Sequence, residues 1–187
     1  MKIVRRNPTL TAFATMAFAL AIAALTSGCN SGKSAPTPAN FTAAINNHFL
    51  DRPDCLFSDT RFPYETTDSA RMQQMDSLVD AHLLDRSVET SIHVARYTIA
   101  TSGTRFAPHF CYGHREVTSI DGFTPIAVVD GFKETTVTYS YTMKEVPVWA
   151  LGHGIQAVFP DMAKATTSQV TAKATLAQTP VGWQIPD

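Results

Sequence analysis

Thr135-Thr136-Val137-Thr138-Tyr139-Ser140-Tyr141-Thr142-Met143 decides the fold class of this 187-residue chain. Successive residues of an extended backbone point to opposite faces. Val137, Tyr139, Tyr141 and Met143 therefore share one side, and Thr136, Thr138, Ser140 and Thr142 share the other. One apolar face and one hydroxyl face describe an antiparallel strand covered on a single side. Strand signals recur at residues 116–120 and 126–129, with Asp121-Gly122 and Asp130-Gly131 read as turns. Downstream, Val170, Ala172, Ala174 and Leu176 alternate, Pro180-Val181-Gly182 turns, and Trp183 with Ile185 returns. Residues 148–163 are helical in pattern but broken by Gly152, Gly154 and Pro160.

Upstream of this region the period is helical. Thr37-Pro38 reads as an N-cap followed by proline in the first turn. Phe41, Ala44, Ile45, His48 and Phe49 then line one helix face, and Pro53 ends it. Residues 51–67 read as an irregular connection. A second helix starts near Asp68, with Met72, Met75, Leu78, Val79 and Leu83 as its buried stripe. Beyond Leu84 the period changes to two, and Val94, Tyr97 and Ile99 lie in a strand closed by Ser102-Gly103. The expectation is an α+β domain, N-terminal helices packed on a C-terminal antiparallel sheet. His48 and His82 are expected to pack at the helix–sheet interface or its edge.

Leu78-Val79-Asp80-Ala81-His82-Leu83-Leu84, followed by residues 96–103, resembles the last helix and wing of a winged-helix domain. His82 stands where that family has glycine, and Ile99-Ala100 replaces Leu-Thr. The resemblance implies a local helix and hairpin.

The N-terminus has three parts. Lys2, Arg5 and Arg6 are basic, residues 10–25 are apolar and uncharged, and Leu25-Thr26-Ser27-Gly28-Cys29 follows. A 16-residue uncharged, mostly apolar stretch matches a signal peptide and falls short of the roughly 20 that span a bilayer. Residues 25–29 resemble the lipobox of bacterial lipoproteins, with Thr26 where leucine is more usual. That resemblance implies a signal peptide over residues 1–28 and a mature N-terminus at Cys29 carrying diacylglycerol and an amide-linked palmitate-type chain. Asn30, in place of the Asp that retains such proteins at the inner membrane, implies the inner leaflet of the outer membrane, facing the periplasm. The small, polar, proline-bearing residues after Cys29 read as a flexible tether over 29–39, leaving 40–187 as a single globular domain.

The signal carries three of the 15 basic residues and none of the 16 acidic ones, so the mature chain is net −4. That balance argues against a nucleic-acid partner. Once Cys29 is lipidated, Cys55 and Cys111 are an even pair in an oxidising compartment, and one disulfide is expected. Two buried free thiols or a catalytic cysteine are the alternatives.

His109-Phe110-Cys111-Tyr112-Gly113-His114 is the one local cluster that could carry chemistry. Its two imidazoles and sulfur could ligate zinc or copper, but a disulfide at Cys111 would remove the sulfur and leave a tetrahedral site two ligands short. No metal is therefore expected at His109 and His114, and no cofactor beyond the covalent lipid. His153, between two glycines, is a minor candidate, and Trp149 with Trp183 could form a sugar-stacking platform, with core packing the plainer reading. Phe110-Cys111-Tyr112-Gly113-His114, Pro147-Val148-Trp149-Ala150 and Gly182-Trp183 resemble uncharacterised lipoproteins of Gram-negative bacteria, a likeness that implies no activity. No Gly-x-Ser-x-Gly, His-Glu-x-x-His or phosphate loop is present. The reading is a lipid-anchored envelope protein, a non-catalytic binding, structural or inhibitory module that meets an envelope protein partner. The alternative is a periplasmic hydrolase or metal-binding protein using the His109/His114 region.

Overall fold

The computed structural model describes residues 32–186; the expected signal peptide over 1–28 and Cys29 lie outside them. Helix α1 (Pro38–Leu50) starts as expected. The Thr37 hydroxyl accepts the Asn40 N–H at 3.3 Å, Pro38 occupies the first turn, and Phe41, Ala44 and Ile45 are buried.

Among the described residues the strands form two sheets. The larger has β4 (His114–Phe123), β6 (Phe132–Lys144), β7 (Val170–Thr179) and β8 (Gly182–Gln184) in the order β4-β6-β7-β8, all antiparallel. The short strand β5 (Ala127–Val129) pairs with the start of β6. On β6 the side chains of Val137, Tyr139, Tyr141 and Met143 are buried and pack with Phe41, Ala44 and Ile45 of α1. Asp130 and Gly131 turn the β5–β6 hairpin, with φ of 49° and 86°, the double left-handed geometry that favours Asp-Gly.

Asp121-Gly122 is not a turn. It lies inside β4, where the register against β6 shifts once between Val117 and Ser119 and again between Ile120 and Gly122. Two such bulges bend the strand and re-aim its side chains. The Asp121 carboxylate accepts the hydroxyls of Ser119 and Ser140, both at 2.7 Å, which hold its pKa below the usual carboxylate value. Ser140 is thereby buried on the face expected to be polar and open.

The smaller sheet has β1 (Tyr64–Thr66), β2 (Leu84–Glu89) and β3 (Val94–Ile99) in the order β1-β3-β2. Strand β1 falls in the stretch read as irregular. Helix α2 (Ser69–Asp80), capped by the Asp68 carboxylate on Arg71 N–H at 2.8 Å, runs into the β2–β3 hairpin. Its end is a left-handed cap: His82 has φ 57°, His82 N–H donates to Val79 O and Leu83 N–H donates to Leu78 O, both at 2.8 Å. His82 therefore does what glycine does at that place. It is exposed, so of the expected places, the helix–sheet interface or its edge, the interface is ruled out: a cap residue turns away from the helix face. His48 is half-buried near the end of α1, edge-on to Phe49.

Helix α2 does not lie on the larger sheet. It packs on β2 and on α3 (His153–Val158), which follows a single 3-10 turn at Val148–Leu151 and precedes α4 (Pro160–Thr167). The interior accordingly has two clusters, one beneath α1 and one around Met75, Leu78, Tyr97, Phe110 and Ile155. Tyr112 and Val146 pack against both.

Within the expected tether over 29–39, two main-chain carbonyls make long-range contacts. Gln178 Nε2 donates to Ser34 O at 2.8 Å, and Trp183 Nε1 donates to Ala35 O at 3.2 Å. Composition marks this stretch as linker, and the carbonyls of Ser34 and Ala35 are held by the last two strands. No helix among the described residues is long and apolar enough to cross a membrane.

Candidate functional site

Cys55 and Cys111 are joined, with Cα atoms 3.7 Å apart, as an isolated antiparallel bridge. The surrounding backbone is laced across it: Asp54 N–H donates to Gly113 O, and Tyr112 N–H to Asp54 O, both at 2.8 Å. Gly113 has φ 128°, and a Cβ there would collide with the Lys144 carbonyl, so the Cys-Tyr-Gly block needs its glycine.

The histidines of this segment part company. His109 sets Nδ1 3.0 Å from the Phe57 carbonyl, while His114 opens β4 with Nδ1 3.6 Å from a Glu145 carboxylate oxygen. The Cys111 sulfur is spent in the disulfide. Among the described residues, no group of three or more His, Cys, Asp or Glu side chains gathers as a metal site would require. His153 begins α3 and is exposed.

Beside the disulfide, Arg115 grips Asp54 with two bonds, Nε to Oδ2 at 2.8 Å and Nη2 to Oδ1 at 2.9 Å. The guanidinium lies 4.6 Å from the Phe49 ring centre and 5.0 Å from that of Tyr141. Burial alone would loosen its proton, but the Asp54 carboxylate outweighs this and holds the Arg115 pKa above its ordinary value. Burial also pushes Tyr112 up to about 12, with the Asp54 charge adding to it.

A groove of about 710 Å³ lies between α2, β2 and the turn leading into α3. Met72, Trp149, Ile155 and Val158 give it apolar walls, and Asp76 with Arg86 gives it a charged side. The Asp76 carboxylate accepts the Tyr97 hydroxyl at 2.8 Å on one oxygen and Arg86 Nη1 at 2.9 Å on the other. Burial, then that hydrogen bond, pushes the Tyr97 pKa up to about 12. Trp149 stands edge-on to Phe106 with ring centres 5.9 Å apart, and its indole N–H is buried without a hydrogen-bond partner among the described residues.

The two tryptophans form no shared platform. Trp183 is 4% exposed in the cluster under α1, whereas Trp149 belongs to the other cluster. Tyr97 is legible as a strand residue, but its pairing with Asp76, 21 residues away with no motif between them, is not. The available signal was polar: Asp76 and Asp80 follow Met72 at four-residue spacing along α2.

Comparison with known protein families, with curated proteins and with solved structures finds no match.

Proposed function

We propose that this chain is a lipid-anchored protein of the bacterial envelope that presents a non-catalytic domain to a protein partner, bound along the groove between α2, β2 and α3. The observation that carries the binding reading is how Asp76 is spent. Both its oxygens are engaged, one by Tyr97 and one by Arg86. A carboxylate so occupied is a poor general base, which needs an oxygen within reach of a substrate proton. It serves better as a fixed polar edge beside an apolar wall, the arrangement that orients a bound chain. The lipobox-like residues 25–29 support the anchor, and Asn30 supports the outer membrane as its location.

The test is photocrosslinking in cells from a reactive side chain placed at Val158. A discrete crosslinked envelope protein, lost when Asp76→Lys reverses the charge at the groove, is the expected result. Crosslinks that are diffuse, or unchanged by Asp76→Lys, count against the groove. Mass spectrometry of the mature N-terminus tests the anchor separately: a soluble chain beginning anywhere but at a modified Cys29 removes it.

A further inference from the structure

Eleven large apolar side chains are exposed among the described residues, and six of them sit at one end of the larger sheet: Phe123, Ile126, Val128, Val129, Phe132 and Val181. The pairing places them together. Glu134 lies opposite Ala177, and Thr179 opposite Gly182, so the β5–β6 hairpin and the β7–β8 turn leave the sheet at the same end. Val128 is 71% exposed, Phe132 57% and Val181 64%.

The hairpin carries exposed apolar side chains on both faces, with Lys133 beside Val128 on one of them. Residues paired across an antiparallel ladder share a face, so Val129 and Phe132 stand on one side and Val128 with Lys133 on the other. A protein partner would cover one face or one edge of such a ribbon. A fluid apolar medium surrounds it.

The N-terminal segment reaches this same end. A Cβ on Gly182 would lie 3.2 Å from the Lys33 carbonyl, beside Gln178 on Ser34 and Trp183 on Ala35. Neighbouring strands are about 4.8 Å apart, so the root of the hairpin on β6 lies only about 10 Å across the sheet from β8. Cys29 precedes Lys33 by four residues, which limits the intervening chain to about 14 Å.

We propose that this end of the sheet, the 126–133 hairpin with the Val181 turn, is a membrane-contact surface that lies in the interfacial layer of a phospholipid bilayer. The proposal rests on the lipid-anchor reading for its geometry, since the acyl chains would bring this end to the bilayer first. Asp130 at the hairpin tip sets the depth. A carboxylate is costly in hydrocarbon, so the ribbon lies obliquely, with Val128, Val129 and Phe132 at the acyl boundary and Asp130 among the headgroups. Lys133 and Lys33 can extend their ammonium groups to the phosphates while their stems stay along the apolar surface.

The test uses the full mature protein, reconstituted in phosphatidylethanolamine–phosphatidylglycerol vesicles, with an environment-sensitive fluorophore on Val128→Cys or Phe132→Cys. Val88→Cys on β2 is the control, and the N-terminus of each sample is read by mass spectrometry. A blue shift and loss of iodide quenching at 128 and 132, but not at 88, is the expected result. Equal quenching at all three positions in a lipidated sample overturns the contact surface and leaves the anchor standing. In an unlipidated sample the anchor reading has failed; protection on mixing with vesicles then still supports the contact surface, and continued quenching overturns it. Protection found only in native envelope membranes, never in pure lipid, overturns it in favour of a protein partner.

Discussion

Asp54 and Arg115, 61 residues apart in sequence, meet through two parallel hydrogen bonds immediately beside the Cys55–Cys111 bridge. The arginine also stacks against Phe49 of α1 and Tyr141 of β6, so one side chain ties the first helix, the 51–63 connection and the larger sheet together. Removing either partner leaves the other half-buried and unmatched.

Arg115→Ala and Asp54→Ala should each lower stability by about 1.5–3 kcal/mol, the range for charged hydrogen bonds. The double variant should cost clearly less than the sum of the two, because both single changes break the same pair. Urea denaturation of all three proteins checks this, and additive losses would mean that the pair is not coupled.

Replacing Cys55 and Cys111 together by alanine should lower stability by about 4 kcal/mol, given the 56-residue separation and the chain-entropy relation. Reduction of the native protein should have the same effect. Thermal melts with and without reductant measure it; an unchanged midpoint would show that the backbone bonds beside the bridge suffice.

Tyr97 and Tyr112 both have pKa values raised to about 12 from the usual 10.0. The folded state favours their protonated forms, so this stabilisation is complete below pH 10.0 and fades as pH rises towards 12. Stability should therefore fall across that alkaline window. Absorbance titration of the phenolates, run beside circular dichroism, should show these two tyrosines ionising last or together with unfolding. Asp76→Asn should bring forward the ionisation of Tyr97 and leave Tyr112 in place.

Trp149→Phe should be neutral or stabilising. An indole N–H buried without a partner, as this one is among the described residues, costs about 1–3 kcal/mol, and phenylalanine keeps the edge contact with Phe106 while giving up some volume. A loss above that range in chemical denaturation would show that packing of the larger ring dominates. Retained crosslinking from Val158 in this variant would separate the groove's shape from its indole.

The legible parts of the fold are those where a single residue pattern meets a single environment. The alternation in β6 is visible because one face meets α1, and α1 itself is announced by its Thr37 cap and its Phe41, Ala44 and Ile45 stripe. Strand β2 carries no such mark: of Leu84–Glu89 only Leu84 is buried, so pairing with β3 alone makes it a strand. Asp121-Gly122 misleads because a turn dipeptide also suits a bulge, and the choice between them is made by Ser140 on the next strand. Dividing one expected sheet into two depends on where α2 lies, and an amphipathic stripe does not say which sheet it will cover.

The disulfide was countable from composition, whereas its neighbour Asp54–Arg115 was not, since ordinary surface residues supply both ends. The groove was hidden for the same reason. Asp76 and Arg86 read as solvated charges until the backbone brings them around Tyr97. Residues 29–39 read as tether by composition, and the main-chain carbonyls of Ser34 and Ala35, which Gln178 and Trp183 seek, leave no trace in it.

Those two bonds decide where mechanical load enters the molecule. A pull on the chain upstream of residue 33 reaches Ser34 and Ala35 first, and both are fastened to residues near the C-terminus. Tension then passes into β7 and β8 without running through the smaller sheet. Strand β8 is three residues long and lies at the edge of its sheet, so it would peel away one bond pair at a time where a central strand would resist in shear. The two ends of the described residues thus act as one clasp, and a chain truncated before Trp183 would loosen residues 34–35 as well.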